Sequence, residues 1–139
     1  MEGTVKSSDV LVDSDIFVAW LKLDDILHDE VTKLLKGAKE KHLRTITTSM
    51  VVAETATVLS NRADHQTAIR FLDFVQKLPV IHISESMQEE ALTLFRMQAK
   101  KGVSVVDCAN VIVLRNSNIP QIMSFDAAYK NVFEVQVFR

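Results

Sequence analysis

Short apolar, β-branched runs punctuate the chain at Val10 to Val12, Thr45 to Thr47, Val80 to Ile83, Ile122 to Phe125 and Phe133 to Phe138. Each has the length of a buried strand, and longer stretches with Leu, Ala, Lys and Glu at helical spacing separate them. No Asn-Gly or Asp-Gly pair is present to make a tight hairpin. Strands that alternate with helices pair in parallel through helical crossovers. The pattern therefore predicts an α/β fold, a three-layer α/β/α sandwich around a central five-stranded parallel sheet.

Local punctuation agrees with this reading. Pro79 and Pro120 stand just before predicted strands, Gly102 is expected to close a helix, and Ser86 with Glu89 reads as a capping box. The chain has no internal repeat, linker or low-complexity stretch. At 139 residues it corresponds to one domain, expected over residues 10–139, with residues 1–9 as a flexible N-terminal tail.

Composition narrows the function classes. With 47% hydrophobic and 24% charged residues the chain is globular, and no apolar run approaches the roughly 18 residues of a membrane span. The polar opening MEGTVKSSD lacks the apolar core of a signal peptide, so a soluble, cytoplasmic protein is expected. The single cysteine, Cys108, excludes an internal disulfide and a cysteine metal cluster, and reads as a small buried hydrophobe. Three glycines, Gly3, Gly37 and Gly102, leave no glycine-rich loop for ATP or NAD.

The acidic residues carry the candidate chemistry. Ligands of open parallel sheets bind beyond the carboxyl ends of the strands. Asp13 directly follows the first run and Asp126 the fourth, so both fall on one rim, where the competing reading is a helix cap. Glu54 lies three residues after Val51 and four before Val58, at the border of an apolar helical stripe or on its solvated edge. Asp107 sits in VVDCANVIVL, apolar nearly all round, with Val111 and Leu114 on its face, and should be at least partly buried. Buried converging carboxylates need a cation, and oxygen-only ligands select Mg²⁺ or Mn²⁺ over zinc. His28, His42, His65 and His82 show no metal-ligand spacing and read as surface or sheet-packing residues.

In order along the chain, VLVDSDIFVAW, TSMVVAETATVL, VSVVDCANVIVL and IMSFDAAY resemble the PIN domain, in particular VapC-like toxins of toxin–antitoxin pairs, from about Val10 to Phe138. The resemblance implies a metal-dependent endoribonuclease with Asp13, Glu54, Asp107 and Asp126 as acidic ligands and Ser124 in the hydroxyl position before the last Asp. Where the family commonly has Asn, this chain has Asp15, which either joins the metal shell or favours the positive start of the following helix. Ions held there would activate a water and neutralise charge on the phosphorane-like transition state. The resemblance further implies an RNA substrate, a homodimer and a cognate antitoxin protein whose tail occupies a groove beside the site.

A net charge of −2 means that RNA would be held by local basic patches. Lys100, Lys101, Arg115 and Lys130 are candidates, as is the segment Lys33, Lys36, Lys39, Lys41 and Arg44; the alternative is a solvated helix face. Trp20 and Tyr129 are the aromatics expected to stack a base, unless Trp20 lines a groove for a partner helix. Two other functions remain open from sequence. VLVDSD also reads as the Asp-x-Asp of a haloacid-dehalogenase-like phosphatase, with Asp13 as nucleophile and Asp15 as acid/base, although Phe17 and the lack of a later glycine-plus-acid motif fit it poorly. The other is a catalytically inactive PIN-like binding module.

Overall fold

The computed structural model describes residues 8–99 and 101–139. Strands β1 (Asp9–Val12), β2 (Arg44–Thr48), β3 (Val80–Ile81) and β4 (Ile122–Met123) pair in parallel in the order β3-β2-β1-β4. The crossovers are helical, as parallel pairing requires: α1 (Ser14–Leu21) and α2 (His28–Glu40), then α3 (Ser49–Arg62) and α4 (His65–Val75), then α5 (Glu85–Arg96) and α6 (Val105–Asn116). A short α7 (Ala128–Asn131) follows β4.

Side-chain alternation along β1 builds the three layers. Val10 and Val12 face a core with Ile16, Phe17, Val31, Leu59 and Phe71 from α1 to α4. Leu11 faces the opposite core, with Ala91, Cys108, Val111 and Tyr129 from α5, α6 and α7. Cys108 is buried and free, as expected of a small hydrophobe. Because β1 is covered on both sides it is apolar except for Asp9, which is fully buried and bound by Arg44 at 2.9 Å.

Four sequence expectations change. The sheet has four strands, because the run Phe133 to Phe138 contributes only a bridge from Val137 to Ile122. Glu134 adopts a left-handed φ of 55° and Val135 N–H donates to the Tyr129 carbonyl at 2.8 Å, so the run turns before it can pair at length. Helix α5 begins earlier than Ser86: Ser84 is the N-cap, accepting from Met87 N–H at 3.2 Å, and Ser86 lies inside the first turn. Helix α5 also ends before Gly102, which lies at φ 104° in the turn leading to α6. Of the expected tail, residues 1–7 lie outside the described residues, and Asp9 already belongs to β1.

Candidate active site

Adjacency of β1 and β4 creates the site. Asp13 N–H donates to the Met123 carbonyl at 3.1 Å, so the carboxyl ends of both strands open on the same rim. Asp13 caps α1, accepting from Ser14 N–H at 2.8 Å, and Ser124 leaves the end of β4 opposite it. The capping and functional readings of Asp13 therefore describe the same side chain.

Hydroxyl groups link the acids across elements. Ser124 Oγ lies 3.1 Å from Asp13 Oδ2 and 3.1 Å from Asp15 Oδ2, and accepts from Asp126 N–H. The Tyr129 hydroxyl lies 2.9 Å from Asp13 Oδ2 and 3.1 Å from Asp107 Oδ1. Asp107 is the third residue of α6 and closes a capping box with Ser104, so its second oxygen accepts from Ser104 N–H at 3.0 Å. Asp15 points across to β4, accepting from Phe125 N–H at 2.8 Å, and does not spend its carboxylate on the start of its own helix alone. Glu54 joins from α3 through the Ser14 hydroxyl, which donates to it at 2.7 Å. Asp126 lies beside the cluster and accepts from Ala128 N–H at 2.9 Å.

The proton count of this cluster is short. Each hydroxyl carries one proton, yet the hydroxyls of Tyr129 and Ser124 each face two carboxylates. Among the described residues none of these acids forms an ion pair with Lys, Arg or His. Burial, followed by the charge of Asp15, pushes the Asp13 carboxyl up to about 7. Burial raises Asp15 and Asp107 in the same direction, and the charge of Asp126 adds to both.

A hard divalent cation would relieve that imbalance. The donor set is all oxygen, and Asp15 Oδ1 is buried without a hydrogen-bond partner, so the chemistry fits Mg²⁺ or Mn²⁺. Among the described residues no three acidic, histidine or cysteine side chains already stand together as a metal-holding group; a hydroxyl lies between Asp13 and Asp107 and another between Asp13 and Asp15.

The PIN domain family profile matches residues 10–134. The chain belongs to the PIN domain family. Two solved structures share its fold: VapC20 of Mycobacterium tuberculosis, described as a sarcin-ricin loop cleaving toxin, and VapBC2 of Rickettsia felis bound to a DNA fragment from its promoter. The first has a TM-score of 0.78 at 22% identity over 85% of this chain and 90% of that one. The second has a TM-score of 0.66 at 16% identity over 93% of this chain and 96% of that one. No curated protein matches the sequence.

Within this PIN domain the other sequence candidates separate. Lys130 is exposed and lines a cavity of about 680 Å³ beside Asp126, together with Gln136 and Arg139. Lys101 is exposed in the turn before α6, whereas Arg115 lies at the far end of α6 from Asp107, among α5 residues. Lys100 lies outside the described residues. Tyr129 cannot stack a base, since it is fully buried; a strand-flanking aromatic three residues after Asp126 reads as exposed only until the packing is known. Trp20 packs on Phe74 with ring centroids 4.8 Å apart and lines an apolar groove with Phe17 and Leu35.

Asn110 and Ser14 are the residues that sequence reasoning missed. Asn110 is fully buried one turn after Asp107 and donates to Asp13 Oδ1 at 3.2 Å and to the Tyr129 hydroxyl at 2.9 Å. For Asn110 the available signal was an Asn within the apolar run of CANVIVL.

Proposed function

We propose that this PIN domain is a metal-dependent endoribonuclease acting as the toxin of a toxin–antitoxin pair. The observation that carries the reading is the convergence of Asp13, Asp15 and Asp107 on two hydroxyls, buried and uncompensated by any basic side chain among the described residues. Asp13, Asp107, Asp126, Glu54 and Asp15 would hold Mg²⁺ or Mn²⁺, with Ser124 fixing Asp13 relative to Asp15. The bound ion would supply Lewis acidity for water activation and charge neutralisation at the phosphodiester. The protein's own part is orientation: the capping box fixes Asp107, the Ser14 N–H and hydroxyl fix Asp13 and Glu54, and the Phe125 N–H fixes Asp15. Lys130, beside Asp126, would meet the RNA backbone, with Lys100, Lys101 and Arg115 as more distant contacts.

A phosphatase reading with Asp13 as nucleophile loses support from the family membership and from Asp13 itself. That side chain is only 5% exposed and both its oxygens already accept hydrogen bonds. The partner in this proposal is an antitoxin, and the groove of about 680 Å³ lined by Phe17, Trp20, Leu35, Leu43 and Phe74 suits an amphipathic helix. A homodimer in the cytoplasm completes the proposal, with exposed Leu92, Phe95 and Met97 available for burial.

Incubation of purified protein with total RNA, with and without Mg²⁺ or Mn²⁺, followed by mapping of new ends, tests the activity. Asp107→Asn should lose at least about 100-fold in rate, the scale of several kcal/mol of metal-derived stabilisation, while keeping its fold. Full cleavage by well-folded Asp107→Asn would overturn the proposal. An absent Mn²⁺-dependent thermal shift together with no cleavage would identify a binding module instead.

A further inference from the structure

Between Asp13 and Asp107 stands a pair of residues that no acidic motif includes. Tyr129, on α7, places its hydroxyl within 2.9 Å of Asp13 Oδ2 and 3.1 Å of Asp107 Oδ1. Asn110, on α6, reaches the same phenol at 2.9 Å and Asp13 Oδ1 at 3.2 Å through one amide nitrogen. Both side chains are fully buried.

Core packing alone does not explain this choice of residues. The Tyr129 ring fills the core shared with Leu11, Ile46 and Ile122, a task that Phe performs without burying a hydroxyl. Asn110 is costlier still, since its Oδ1 is buried without a partner. What the two polar groups do achieve is a connection. Asn110 donates to the phenol oxygen, which leaves the phenol proton to point at a carboxylate, and the two carboxylates it faces come from the end of β1 and the start of α6. Like charges on separate elements repel, and a shared donor between them sets their separation and the direction of their remaining lone pairs.

We propose that Tyr129 and Asn110 are positioning residues that hold Asp13 and Asp107 in register for the divalent cation. The inference rests on the metal-dependent reading above. Groups that orient metal ligands typically change affinity by 10- to 100-fold when removed, so Tyr129→Phe should weaken Mn²⁺ binding by roughly that factor. Asn110→Ser should weaken it as well. Because the two act on the same phenol, the double variant should lose much less than the product of the single losses.

The measurement is titration of Mn²⁺ alone into wild type, Tyr129→Phe, Asn110→Ser and the double variant, read by electron paramagnetic resonance of free Mn²⁺. Near-ultraviolet circular dichroism of the metal-free proteins checks the fold. Wild-type binding with an unchanged Mn²⁺ Kd in a folded Tyr129→Phe would overturn the positioning role and leave the metal-dependent reading standing. Multiplicative losses in the double variant would overturn the coupling of Asn110 through the phenol. Absence of Mn²⁺ binding in wild type would overturn both readings. Asn110→Ser keeps the test open if Tyr129→Phe fails to fold, since its own unchanged Kd equally contradicts the proposal.

Discussion

Replacing Asp13 by Asn removes one negative charge while keeping the shape of the side chain, and the hydrogen-bond pattern dictates the outcome. The amide oxygen still accepts from Ser14 N–H and Asn110. The new NH₂ group faces the oxygens of Tyr129 and Ser124, so those hydroxyls turn their protons to Asp107 and Asp15. Four contacts that shared two protons then become four hydrogen bonds. The native Asp13 carboxyl is pushed up from 3.8 to about 7, which corresponds to about 4 kcal/mol against its ionised form. The folded protein therefore holds a proton that the unfolded chain releases, and metal-free stability falls as pH rises from about 4 to about 7, then levels off. In EDTA at pH 8, Asp13→Asn should be more stable than wild type by about 2 to 4 kcal/mol, or roughly 5 to 15 °C in Tm, and inactive on RNA. At pH 5.5 the advantage should shrink by about half, because the wild-type carboxyl is then largely protonated. Thermal and urea unfolding followed by circular dichroism at both pH values gives the answer. A variant less stable than wild type at pH 8, or a pH-independent difference, would refute the reasoning.

The remaining predictions address the fold. Ser84→Ala should cost about 1 kcal/mol by removing the cap that accepts from Met87 N–H, whereas Ser86→Ala should change stability by less than about 0.5 kcal/mol; equal losses in thermal melts would contradict the start of α5. Phe71→Ala should cost about 3 to 5 kcal/mol, since the ring is fully buried 5.2 Å from Phe17 in the core of α1 to α4. A urea midpoint shift worth under about 1 kcal/mol would place that ring elsewhere.

Four of the five apolar runs became strands, and parallel pairing followed from the helical stretches between them, because period and length are local properties that the chain carries at every point. The same local logic reached Asp107: a carboxylate on a helix apolar nearly all round has to be buried, and it is 9% exposed. Strand-end position likewise placed Asp13 and Asp126 on one rim. Where two local signals were equivalent, sequence could not choose between them. Ser84 and Ser86 are both good caps, and the chain uses Ser84, directly after Ile83, whose N–H donates to Ser49 Oγ at 2.9 Å. The β-branched run after Phe133 had strand composition, but its turn at Glu134 depends on where α7 docks.

Sequence by itself determined which residues are acidic, which elements carry them and which face of each element is apolar. Tertiary structure alone decided that β4 lies beside β1, and this adjacency brings Ser124 and Asp15 together and turns Tyr129 from a presumed surface ring into a buried donor between two carboxylates. It also buried Asp13 beside Asp15, which pushes its carboxyl up to about 7, with no ion pair from a basic side chain among the described residues to offset this. The physical reason is range. Periodicity and capping are set by neighbours a few residues away, whereas burial, proton sharing and charge repulsion act through space between segments that are distant along the chain.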